Sequence, residues 1–175
     1  MPNDKTTRPL KDMAKESIFN ILTHADYINF HLKGSKVLDL FSGVGSFGLE
    51  CISRGSKFVF FMENYPPVLK ILKNNISNLR YENRSKVIDI DAFKIKSNLF
   101  EKDQKFQIIF CDPPYKERKI ELLIENIIEM DILEKNGIII IHRKKGNLDI
   151  YPRKFKVIDT KSYGLSTFVF GKKSN

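Results

Sequence analysis

The sequence has no tryptophan, only two cysteines, and no apolar run as long as the 18 residues that mark a membrane-spanning helix. Its first ten residues, MPNDKTTRPL, are polar, so no secretory signal is expected. Cys51 and Cys111 each lie in an apolar stretch and read as buried structural thiols of a protein in a reducing, cytoplasmic setting. His24, His31 and His142 have no ligand-like spacing with those cysteines, so no metal site is expected. Internal repeats, low-complexity tracts and Gly/Ser linkers are also lacking. The 175 residues therefore read as one domain, 1–175, large enough to bury a core without disulfides or metals. Acidic residues are short, 21 against 30 Lys and Arg, and the net charge of +9 favours a polyanionic partner such as RNA or DNA. The richness in Lys, Ile and Asn is also what an AT-rich genome produces, which weakens that inference.

What is present is alternation. Apolar runs at 36–41, 57–63, 86–90, 106–111 and 137–141 read as strands. Between them, helices are expected at 45–54, at 66–79 and at 117–130, with at best a short helix over 93–100. Residues 155–159 and 167–170 form a terminal antiparallel pair. A further helix at about 11–23 precedes the first strand, with Met13, Ala14, Ile18, Ile21 and Leu22 as its apolar face. Strands with continuous apolar character, separated by helices, imply an α/β doubly wound sheet, Rossmann-like, whose ligands bind at the carboxyl ends of the strands.

Two constellations sit at such ends. The first runs from Asp39 through Phe41 and Ser42 to Gly43, Gly45 and Gly48, between a strand and a helix. Glycines there let the backbone turn sharply and approach a ligand. The Gly spacing alone also fits a dinucleotide-binding turn of an NAD-dependent oxidoreductase. Asp39 before the turn suits an amino group, and Glu63, followed by Asn64, suits a pair of ribose hydroxyls. A cofactor with both an amino-acid tail and a ribose uses both. Asp91 and Ala92 follow the third strand, where they can meet an adenine edge or simply cap a helix.

The second constellation is Asp112, Pro113, Pro114 and Tyr115. Two prolines hold the backbone rigid and extended, and they leave carbonyls without accompanying N–H donors. A carboxylate and a fixed carbonyl can accept both hydrogens of an exocyclic base amine, and a tyrosine can stack on the base. Binding both hydrogens favours a pyramidal nitrogen with a localised lone pair, ready to attack an activated methyl group. An oxidoreductase reading leaves these four residues unexplained.

The chain resembles the RsmD-type 16S ribosomal RNA guanine-N2 methyltransferases. Thr7-Arg8-Pro9 with residues 16–20 (ESIFN) is similar to the family's opening TRP…RE…LFN segment. Residues 37–50 (VLDLFSGVGSFGLE) with 53–55 resemble its cofactor loop and first helix, residues 110–115 (FCDPPY) its catalytic motif, and Tyr163-Gly164 its C-terminal signature. The resemblance implies a class I S-adenosylmethionine-dependent methyltransferase fold, with seven strands and the last antiparallel. It implies S-adenosyl-L-methionine as cofactor at Gly43, Gly45, Glu63, Asp91 and Ala92, with Arg8 and Pro9 near the cofactor and the target guanine. The substrate it implies is 16S rRNA, within a 30S particle. Apart from the resemblance, the basic residues Lys116, Arg143 and Lys144 are expected as further RNA contacts, and the enzyme is expected to be a monomer.

Three departures stand out. Only six residues precede Thr7, where the family carries a basic β-hairpin, so the hairpin is missing from this sequence through a misassigned start, a fragmentary chain or a reduced RNA docking surface. Lys15 stands where arginine is usual, and Met13 where another is common. Finally, residues 142–145 (HRKK) replace a glutamate-bearing segment; they read either as a phosphate-contacting loop or as a solvated one, with His142 a poor choice of general base because no partner is visible. Rivals are an N6-adenine DNA methyltransferase, for which no target-recognition insertion is visible, and a ribosome assembly factor that binds RNA without catalysis.

Overall fold

The computed structural model describes residues 12–174. Arg8 and Pro9 lie outside them. Helix α1 (Asp12–His24) leads into strand β1 (Lys36–Leu40), followed by α2 (Ser46–Ser53), β2 (Phe58–Met62), α3 (Pro66–Asn78) and β3 (Ser85–Ile88). Then come β4 (Phe106–Cys111), α4 (Ile120–Glu129), β5 (Leu133–Lys144), β6 (Phe155–Tyr163) and β7 (Ser166–Lys173). The strands form one seven-stranded sheet in the order β3-β2-β1-β4-β5-β7-β6. The β3-β2-β1-β4-β5 segment is parallel, and β7 runs antiparallel to both neighbours, as the resemblance implies.

Helices cover both faces, which is why the central strands carry continuous apolar residues. Along β5, Ile138 and Ile140 join the core beneath α1, α2 and α3, whereas Ile139 and Ile141 join the core beneath α4. The apolar stripe of α4 (Ile120, Leu123, Ile124, Ile127, Ile128) recurs at helical spacing and is fully packed. Each such side chain contributes about 1.5–3 kcal/mol by leaving water. On the other face, Phe19 of α1 stacks on Phe47 of α2 at 5.3 Å, and Phe47 stacks on Phe110 of β4 at 4.0 Å. That ring ladder ties the helix after the glycine turn to the strand before the two prolines.

Several expected boundaries move for physical reasons. The inward face of α1 is Ala14, Ile18, Phe19 and Leu22; Met13, expected inside, is exposed. Strand β5 extends well beyond 137–141 because antiparallel β7 continues the ladder past the parallel sheet, pairing His142 with Phe168, Arg143 with Thr167 and Lys144 with Ser166. His142, Arg143 and Lys144 are therefore strand residues rather than a loop. Strands β6 and β7 are longer than expected as well, joined by a tight turn at Gly164 (φ 58°). Helix α4 begins at Ile120 rather than 117, since the Glu117 side chain accepts the N–H groups of Arg118 and Lys119 and closes a separate turn. The expected short helix over 93–100 is two 3-10 turns, Ala92–Lys94 and Ser97–Leu99.

Candidate active site

The parallel register sets the site. Ile88, Met62, Leu40, Cys111 and Ile141 are aligned across β3, β2, β1, β4 and β5. The residues that follow them emerge side by side at the carboxyl edge: Glu63, Phe41, Asp112 and His142. The Asp112 N–H donates to Leu40 O at 3.3 Å, so the β1–β4 ladder runs up to the point where the glycine turn leaves β1 and the acid-proline corner leaves β4.

The turn after β1 is folded by its own polar groups. The Ser42 hydroxyl donates to Asp39 O at 2.6 Å and accepts the Met62 N–H at 2.9 Å, fastening the turn to β2. Phe41 (φ 58°), Gly43 (φ 55°) and Gly45 (φ 88°) adopt left-handed backbone, which costs a glycine little and a phenylalanine appreciably. A strained non-glycine residue at this point is a feature of functional turns. Asp39 is buried, and its carboxylate accepts the Gly48 N–H in the first turn of α2 at 3.0 Å. Burial pushes its carboxyl well above the usual carboxylate range; the Gly48 bond opposes this, and the nearby Asp112 and Glu63 reinforce it. Glu63, half-buried, accepts the N–H groups of Gly43, Asn64 and Tyr65 at 2.8–2.9 Å, so its carboxylate is fixed at the mouth of the turn. Asn64 is exposed beside it. Asp91 caps the 3-10 turn beyond β3 by accepting the Phe93 N–H at 3.0 Å, and Ala92 is buried against the core.

The corner after β4 has Pro113 buried, Pro114 exposed and Tyr115 half-buried. The Pro114 carbonyl accepts the Glu117 N–H at 2.9 Å and an Arg143 N–H at 3.3 Å. No hydrogen bond to the Pro113 carbonyl is found among the described residues. Lys116 and Lys144 are exposed on the same rim.

Arg143 requires a correction. Expected at RNA phosphate, it is only 3% exposed. Its guanidinium donates to both carboxylate oxygens of Asp149 at 2.8 and 3.0 Å, to Glu117 O at 2.7 Å and to Pro114 O. It clamps the loop that carries the two prolines.

His142 was undervalued by sequence reasoning. It is buried, its Nδ1 lies 2.7 Å from Asp112 Oδ1, its ring stacks on Phe168 at 4.4 Å, and the Tyr115 hydroxyl lies 3.5 Å from Nε2. The available signal was topological: β5 neighbours β4 in such sheets, so the first residue past its apolar run stands beside the first residue past β4.

Among the described residues, no group of three or more His, Cys, Asp or Glu could hold a metal ion, and no helix is long and apolar enough to cross a membrane. Cys51 and Cys111 are buried free thiols, and burial pushes both well above the usual thiol range.

Comparison with known proteins adds the family. The model described as "Conserved hypothetical protein 95" matches residues 1–172. A Bacillus subtilis protein named "Putative rRNA methyltransferase YlbH" is 32% identical, covering 96% of this chain and 89% of that one. The ribosomal RNA small subunit methyltransferase D of Haemophilus influenzae is 29% identical over 95% of this chain and 83% of its own. Among solved structures, a conserved hypothetical protein of Streptococcus pyogenes superimposes with a TM-score of 0.77 at 25% identity, over 92% of this chain and 95% of that one. With its strand order, its two carboxyl-edge corners and a family match over nearly all its length, the chain belongs to the conserved hypothetical protein 95 family, the RsmD family.

Proposed function

We propose that the protein is an S-adenosylmethionine-dependent methyltransferase acting on small-subunit rRNA, with the exocyclic N2 amine of a guanine as acceptor. The carrying observation is that the glycine turn and the acid-proline corner leave the adjacent strands β1 and β4 at the same carboxyl edge, in register, with the Asp112 N–H bonded to Leu40 O. The residues fit the cofactor: Glu63 offers a carboxylate for vicinal hydroxyls at the mouth of a left-handed turn, Asp39 and the backbone of Ser42, Gly43 and Gly45 lie below it, and Asp91-Ala92 ends the neighbouring strand. Phe41 and Asn64 flank this set. When bound, S-adenosylmethionine supplies a methyl group on a sulfonium sulfur, which departs as a neutral thioether.

The protein's own part is alignment and electrostatics. Asp112 accepts one amine hydrogen and the Pro113 carbonyl the other, which localises the nitrogen lone pair. The new N–C bond forms as the S–C bond breaks. The nitrogen becomes acidic only as it gains positive charge, and its surplus proton then passes to Asp112 or to water. Tyr115 stacks on the base, which must be unstacked or presented by a loop to reach the pocket. Arg8, Pro9, Lys116 and Lys144 are assigned to RNA. The substrate is 16S rRNA in a 30S particle, the enzyme a monomer working in the cytoplasm.

The test is a labelled-methyl assay on undermethylated 30S particles, free 16S rRNA and DNA, followed by nucleoside analysis. Label in N2-methylguanine of 30S particles supports the reading. Label in N6-methyladenine of DNA overturns the substrate, and binding of particles without transfer overturns catalysis. Calorimetric titration with S-adenosylmethionine and with NAD separates the two cofactors.

A further inference from the structure

We infer that His142 is a positioning residue: its Nδ1–H locks Asp112 Oδ1, so that Oδ2 alone is presented to the substrate amine. This rests on the methyltransferase reading above. As a carboxylate, Asp112 can only accept hydrogen bonds, so the 2.7 Å contact requires the proton to sit on His142 Nδ1. On the other side of the ring, the Tyr115 hydroxyl stands 3.5 Å from Nε2. The contacts run from Tyr115 through His142 to Asp112 and join three of the site's side chains.

The ring is held from every side. Its backbone is in the β5–β7 ladder opposite Phe168, its plane stacks on the Phe168 ring with an interplanar angle of 12°, and Tyr115 meets its edge at 87°. Burial at 3% exposure leaves it no other rotamer partner in solvent. A carboxylate on a single-bonded stem has rotational freedom that a reaction needing an aligned amine cannot tolerate, and misplacement by about 1 Å can cost about a hundredfold in rate. No hydrogen bond to Asp112 Oδ2 is found among the described residues, and the Asp112 side chain keeps 19% exposure, which leaves that oxygen for the substrate.

Two kinds of side chain separate hydrogen bonding from packing. Asparagine at 142 places an amide N–H where Nδ1 was, without a ring. Phenylalanine keeps a ring to stack on Phe168, without a donor. We expect His142→Ala to lower kcat on the wild type's own substrate by about a hundredfold while KM for RNA and the affinity for S-adenosylmethionine stay within about twofold. His142→Asn restores most of kcat, and His142→Phe remains as slow as His142→Ala. The reverse order, rescue by Phe and none by Asn, overturns the inference in favour of packing, as does an equal drop in all three variants.

A second measurement needs no variant. Two-bond proton–nitrogen correlation spectra of the wild-type chain report the ring tautomer of His142. A proton on Nδ1 supports the inference, and a ring protonated only on Nε2 overturns it. If the wild type transfers no methyl group to any substrate, the functional reading fails, while the tautomer still decides whether His142 positions Asp112.

Discussion

Arg143→Met is the substitution that separates a buried clamp from an RNA contact. The guanidinium makes four hydrogen bonds, two of them to Asp149, whose side chain is only 12% exposed. Methionine has a similar stem and no charge, so the variant leaves Asp149 as a nearly buried carboxylate without its partner and frees two carbonyls of the proline loop. Breaking one side of a buried pair costs about 3–5 kcal/mol, a large part of the roughly 5–15 kcal/mol by which a domain is stable. Urea unfolding of Arg143→Met, Asp149→Leu and the double variant gives the coupling directly. Removing both partners leaves no unpaired charge, so the double variant recovers a good part of the stability. RNA affinity against salt is the second assay. Removing one side chain that binds phosphate lowers the slope by about 1, and Arg143→Met is expected to leave the slope unchanged. Exposed Lys144→Ala should do the opposite, lowering the slope with a stability change within about 0.5 kcal/mol. A stable Arg143→Met protein, within about 1 kcal/mol of wild type and with a reduced slope, would refute the clamp.

Asp39→Asn tests a cost borne for function. Because burial raises the Asp39 carboxyl, its folded state holds the proton to higher pH than the unfolded chain does. Its contribution is fully present below the unfolded carboxylate value of about 3.9 and is lost as pH rises through the raised folded value. The variant, titrated with urea from low to neutral pH, should match wild type near pH 4 and exceed it by about 1 kcal/mol at neutral pH, while binding S-adenosylmethionine more weakly. Gly48→Ala tests the packing of α2 on the sheet: a Cβ there meets Phe61 Cε1 at 2.3 Å and Val59 Cγ1 at 2.8 Å, so overpacking of about 1–3 kcal/mol outweighs the roughly 1 kcal/mol gained in helix propensity, and urea unfolding should give a net destabilisation. Cys51 and Cys111, buried with raised thiols, should resist a maleimide in native buffer and react fully once unfolded.

The order of elements was legible because strands covered on both faces are apolar throughout and helices carry a stripe. The two corners were legible because glycine and proline act on the backbone locally. What was not legible came from pairing between distant segments. Nothing near His142 in the sequence announces that β7 will continue the ladder beyond residue 141, and so a strand end looked like a basic loop. Arg143 looked like a surface charge because its partner, Asp149, is reached only after the chain turns back at Gly146. Met13 looked inward because it falls next to a helical stripe whose true centre is set by Phe19 meeting Phe47. Glu63 was found for the right residue type, but its hold on three backbone N–H groups depends on how the turn after β1 folds over β2.

The most direct measurement pairs transfer with cofactor affinity in Asp112→Ala. An acid–proline–proline corner that orients the amine, built on a separate strand from the glycine turn, predicts that calorimetry gives an S-adenosylmethionine affinity within a few-fold of wild type while labelled-methyl transfer to 30S particles disappears. Full transfer by that variant would contradict the account.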